Sequence, residues 1–153
     1  MLSVLIVLPL LYWLSNYAAE QVLDQNAEAQ VISTNGCQFG KDVCQIKLQK
    51  QSYLVSVVND FTAGQAIQIE VEPKVKQVAS VKPLQNIQLL LQGKTMYMGI
   101  SEAQLQYVDG KWVGLLRIPF CTTDVMLWQL DMTIKASNGS EYMAKYEFEM
   151  RHG

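Results

Sequence analysis

The side chains able to do chemistry in this chain are soft ones. Met96 and Met98 lie in the run Met96-Tyr97-Met98-Gly99, Cys121 follows Pro119-Phe120, and Met126 comes one short loop later. A thiolate with thioethers is the ligand set that selects Cu(I) over zinc, calcium or magnesium. On a strand, Met96 and Met98 would project from one face about 7 Å apart, near enough for two flexible thioethers to meet one ion. Gly99 would let the backbone bend or approach closely just beyond them. The candidate metal set is therefore Met96, Met98, Cys121 and Met126, and the cofactor it implies is Cu(I). Against this, methionine is also a core filler. Met126, Trp128, Leu130, Met132 and Ile134 share one strand face, as the residues of a packed sandwich do. Met143 and Met150 read most simply as packing or surface residues.

The other two cysteines have a structural reading. Cys37 and Cys44 flank Gln38-Phe39-Gly40-Lys41-Asp42-Val43, a loop or hairpin entering the second strand. Two cysteines this close in an exported domain favour a disulfide. In the chain-entropy picture such a short closure stabilises the fold by about 2 kcal/mol. The C-x-x-C spacing of redox pairs is missing. Cys121 is then left over, and calls for a metal, a partner cysteine or deep burial. Pairing of Cys44 with Cys121 is the competing connectivity, and it would remove the thiolate from the metal set.

Other chemistry lacks its residues. The single histidine, His152, stands one residue from the C-terminus, where a frayed tail is the simple reading. A Ser-His-Asp triad, an ordinary zinc hydrolase site and a blue-copper His₂Cys set all need more. No glycine-rich phosphate loop follows a strand. The strand carboxylates fall on the alternating polar face. We therefore expect no enzyme. Net charge is −2 with the charges scattered, so no nucleic-acid partner is expected either.

These residues must be positioned in some compartment, and the first nineteen residues address that. The run MLSVLIVLPLLYWLSNYAA carries no charge and reads as a membrane anchor or an export signal. Its apolar core, Leu2 to Leu14, has signal length, while Trp13 and Tyr17 suit a membrane–water boundary. Ser15 to Ala19 matches a cleavage site poorly, and an uncleaved anchor is the favoured reading. Residues 20–28 (EQVLDQNAE) read as a polar stalk, and 29–153 as one domain.

That domain reads as strands. Alternation marks Cys44–Gln49, Ala66–Glu72 and Glu141–Met150, with one face buried and one wet. Ala29–Thr34, Tyr53–Val58, Ile87–Leu91, Thr95–Met98, Ala103–Val108, Lys111–Ile118 and Val125–Ala136 are further candidates. Pro73 and Pro83 bracket Lys74 to Lys82, an edge strand or a loop. Asp109-Gly110 and Asn138-Gly139 both favour the positive φ angles of tight hairpins. The fold class expected is all-β: an antiparallel two-sheet immunoglobulin-like sandwich preceded by one N-terminal hydrophobic helix.

The order Gly36-Cys37 with Cys44, Met96-x-Met98-Gly99, Pro119-x-Cys121 and Met126-x-Trp128 resembles a family of small membrane-anchored envelope proteins of Gram-negative bacteria. That family is loosely associated with Sco-type copper delivery in cytochrome oxidase assembly. A weaker likeness is to FixH-type proteins, with one N-terminal membrane helix and a small external sandwich. The resemblance covers most of the exported domain through short motifs. It implies a bacterial inner-membrane protein whose domain faces the periplasm, a non-enzymatic role, and copper handling. The chain departs from the usual export signal in lacking a basic N-terminus.

Two functions follow. One is Cu(I) binding for delivery to, or assembly of, a respiratory oxidase. The other is a metal-free immunoglobulin-like adaptor that docks on another envelope protein through a sheet face or edge. Where Met96, Met98 and Cys121 point discriminates them: convergence at one accessible end favours copper, and burial or dispersal favours the adaptor.

Overall fold

The computed structural model describes residues 29–34, 36–59, 64–75, 84–120 and 124–151. The membrane segment, the stalk, Cys121, His152 and most of the stretch between Pro73 and Pro83 lie outside these residues. Among the described residues no helix is long and apolar enough to cross a membrane.

Ten strands form: β1 (Gln30–Ile32), β2 (Cys44–Leu48), β3 (Gln51–Val57), β4 (Ala66–Pro73), β5 (Leu84–Gly93), β6 (Ile100–Gln104), β7 (Gln106–Val108), β8 (Lys111–Arg117), β9 (Val125–Ala136) and β10 (Glu141–Arg151). They build two five-stranded sheets, ordered β1-β10-β9-β5-β6 and β2-β3-β4-β8-β7. Every pairing is antiparallel except that of β1 with β10, which is parallel. The sheets are therefore not antiparallel throughout.

Alternation in the sequence becomes burial in the fold. Ile67, Ile69 and Val71 on β4 are sealed, as are Met126, Trp128, Leu130, Met132 and Ile134 on β9. On β10 the even residues Tyr142, Ala144, Tyr146, Phe148 and Met150 face the core, while Glu147 and Glu149 face out. Removing these apolar rows from water is the main drive for sheet-on-sheet packing.

Three local expectations are corrected. Thr95–Met98 is not a strand; it belongs to the 94–99 bend joining β5 to β6, because β5 runs on to Gly93. Ala103–Val108 is not continuous: the chain changes sheets at Leu105, whose N–H donates to the Ile87 carbonyl at 2.9 Å. Leu105 tucks over Gly114, where a Cβ would lie 2.9 Å from Leu105 Cδ1. The two hairpin dipeptides also differ. Asp109 and Gly110 both take positive φ, whereas of Asn138 and Gly139 only the glycine does. In the second hairpin Gly139 N–H bonds to the Ala136 carbonyl and Ala136 N–H to the Ser140 carbonyl. That is a three-residue loop ending in a left-handed glycine, a different solution to the same strand twist.

Strand directions define two ends. At one, where β1 begins, lie the turn at Gln49-Lys50, the Asp109-Gly110 turn and the loop at residues 137–139. At the other, β1, β3, β5 and β8 end and β2, β4, β6 and β9 begin, with the 94–99 bend between β5 and β6. The second is called the loop end below.

Candidate metal centre

The candidate residues that are described all sit at the loop end. Gly93 ends β5 and packs where a side chain cannot. A Cβ there would lie 2.2 Å from the Met96 carbonyl oxygen and 2.4 Å from Met126 Cε. The 94–99 bend is thereby folded onto the first residues of β9. Two further bonds hold it: Lys94 N–H donates to the Leu127 carbonyl at 2.8 Å, and the Lys94 ammonium pairs with Glu147 on β10. Thr95 Oγ1 donates to Met126 Sδ at 3.3 Å.

The methionines differ in exposure. Met96 is 50 % exposed, Met98 is half-buried against the core, and Met126 is 2 % exposed. Met126 is therefore a core residue in this arrangement, with its thioether already engaged by a weak hydroxyl donor. Met96 and Met98 share a bend rather than a strand face, so the geometric ground for their convergence is changed. What brings the Met96 backbone near Met126 is the folding back of the bend, not the pleat. Gly99 serves the bend through its φ of +80°, and a Cβ there would meet nothing within 4 Å. It turns the chain and permits no close approach. Cys121 lies outside the described residues, which resume at Asp124, one residue before β9. Among the described residues no group of three or more His, Cys, Asp or Glu side chains is gathered as for a metal ion.

Cys37 and Cys44 meet at disulfide distance, with Cα atoms 5.6 Å apart. They anchor a loop ordered from within. Asp42 N–H donates to the Gln38 carbonyl at 2.9 Å, and Gln38 N–H donates to Asp42 Oδ2 at 3.1 Å. The loop drives Phe39 into the core, its ring centroid 5.0 Å from Tyr146 and 5.4 Å from Phe148. The sequence hid this role, since one aromatic residue between a glutamine and a glycine carries no periodicity.

Beside the loop is a cleft lined by Ser33, Thr34, Cys37, Asp42, Gln45 and Tyr146. The Tyr146 hydroxyl is buried with no hydrogen-bond partner among the described residues. Burial also pushes its phenol well above the ordinary tyrosine range, so it stays a neutral donor. Gly93, Lys94 and Thr95 were missed by reasoning from residue types. Their sole signal was the turn-like Gln92-Gly93-Lys94, which says nothing of the neighbour across the sheet.

No known protein family, curated protein or solved structure matches this chain.

Proposed function

We propose that this chain is a non-enzymatic, membrane-anchored periplasmic protein that binds Cu(I) at the loop end, for delivery to a respiratory oxidase or for its assembly. The donors are Met96, Met98 and Cys121, with Met126 behind them as the fourth sulfur. The observation that carries the reading is the fold-back of the 94–99 bend onto the start of β9, which gathers the Met-x-Met pair and Met126 at one end. The cysteine count supports it: with Cys37 and Cys44 matched, Cys121 has no cysteine left in this chain to pair with. Soft donors in that number suit Cu(I).

The sandwich is read as immunoglobulin-like. β10-β9-β5-β6 takes the place of the G, F, C and C′ strands, and β3-β4-β8-β7 that of A, B, E and D, with β1 and β2 added at one side. β1 begins at the end opposite the bend, so an anchor preceding it would leave the sulfur-bearing end directed away from the membrane.

The test is a Cu(I) titration of the full chain in detergent against a competing chelator, after counting free thiols. One tight equivalent is expected, lost in Cys121→Ser and in the Met96→Ala/Met98→Ala double variant. No binding by protein whose Cys121 thiol is free would overturn the reading.

A second reading, the metal-free adaptor, has its own observation. Exposed apolar side chains gather on the same end, among them Val43, Val58, Tyr97 and Ile100, with Tyr97 81 % exposed. Failure of the titration together with crosslinking of this end to an envelope protein would establish it.

A further inference from the structure

The first strand leaves most of the last one uncovered. β10 pairs with β9 along its whole length, from Glu141 to Arg151, but β1 matches it only at Tyr142, Met143 and Ala144. One more contact follows, from the Thr34 hydroxyl to the Lys145 carbonyl. That bond fixes the direction of the remaining backbone. Within an antiparallel strand a residue's N–H and C=O point to the same side, and the side alternates along the chain. Since Lys145 directs its carbonyl toward β1, the main-chain groups of Glu147, Glu149 and Arg151 point the same way. No described strand covers them there.

The surroundings are specific. Glu147 and Glu149 extend from the outer face, with Lys94 already paired to Glu147. Below the edge, Phe39 packs on Tyr146 and Phe148, and the cleft lined by Thr34, Asp42 and Tyr146 lies there too. The Tyr146 hydroxyl has no partner there among the described residues.

We propose that this edge receives an extended segment of a partner protein, added as a strand alongside Glu147–Arg151 where β1 stops. Main-chain bonds to Glu147, Glu149 and Arg151 hold it, which is the general mode of strand addition. Its residues on the outer face are lysine or arginine, opposite Glu147 and Glu149. On its other face a small polar side chain accepts from Tyr146 or its neighbours in the cleft. A second copy of this chain is a poor occupant. Antiparallel pairing of two such edges about Phe148 would set Glu147 against Glu149 twice, like charge facing like charge. The proposal is independent of copper.

The probe is a seven-residue capped peptide alternating lysine with threonine, compared with a glutamate–threonine counterpart. Both are titrated into the full isotope-labelled chain in detergent while amide exchange is followed. Slowed exchange at Glu147, Glu149 and Arg151 is expected with the lysine peptide, and about tenfold weaker binding of the glutamate peptide, the sum of the cross-strand charge pairs at Glu147 and Glu149. Glu149→Pro removes one edge donor whose N–H points away from β9, so it should fold and lose the protection. If that variant fails to fold, Glu147→Lys/Glu149→Lys decides, because it should reverse the preference between the peptides. Unchanged exchange at these amides with both peptides overturns the proposal. So does protection that grows with protein concentration without peptide, which would assign the edge to a second copy.

Discussion

The two ends of the sandwich solve different problems. At the end where β1 begins, three strand pairs are joined by short turns at Gln49-Lys50, Asp109-Gly110 and residues 137–139, while β4 ends and β5 begins there with ten residues, 74–83, between them. Each holds at least one residue of positive φ: Gln49, Asp109 with Gly110, and Gly139. Such turns fix register and leave little room for anything else. At the loop end no two strands are joined by so short a turn, and there stand the cysteine pair, the Met-x-Met bend, Tyr97 and the sealed Met126. Loops carried on a packed sandwich are where such folds commonly place function.

The shared core sets the scale for breaking this division. Trp128→Ala empties a fully enclosed site on β9, next to Gly93 in the register, and should cost about 3–5 kcal/mol in chemical denaturation. Both ends should then be lost in one transition; two separate transitions would mean that they fold as independent units. A sharper contrast comes from two glycines. Gly93→Ala must displace both the Met96 carbonyl and the Met126 methyl, at about 1–3 kcal/mol, and should weaken Cu(I) binding. Gly139→Ala meets no atom within 4 Å, so its cost is conformational, about 1 kcal/mol, and Cu(I) binding should not change. Equal effects of the two on the titration would remove the distinction between the ends.

The smallest effect concerns the outer face of the second sheet, away from both ends. Lys111 Nζ lies 2.7 Å from Glu70 Oε2. That hydrogen bond, opposed in part by desolvation and aided by Gln68, holds the Glu70 carboxyl below its ordinary value of 4.5. A carboxyl lowered in the fold adds stability above the unfolded value and loses it as pH falls through the folded one. Lys111→Met should therefore cost less than about 1 kcal/mol near neutrality and flatten the decline in stability below pH 4.5. Urea midpoints at pH 7 and in acid measure it, and an unchanged acid limb would show that the pair contributes nothing.

Much of the fold was legible because strands write their burial at period two. β9 and β10 were readable nearly residue for residue, down to Met126 sharing the inner face of Trp128. The candidate site was less so. Reading Thr95–Met98 as a strand followed from its length and position between turn signals, and the extension of β5 to Gly93 overruled it. Phe39 gave no sign of its core position, since loop residues carry no period. The parallel pairing of β1 was equally hidden, because three residues cannot state which neighbour they take or in which direction.

The sequence by itself determined that the chain is a sandwich of two sheets, which faces go inward, where two hairpins turn, and that Cys37 and Cys44 are close enough to meet. Those properties are local: alternation, turn chemistry and short loop closure need no knowledge of distant residues. Only the tertiary structure decided that the 94–99 bend lies over Met126, that Phe39 packs on Tyr146 and Phe148, and that β10 runs on beyond β1 with no described strand beside it. These depend on which strands become neighbours across the sheet, and that is fixed by burying all the apolar faces at once.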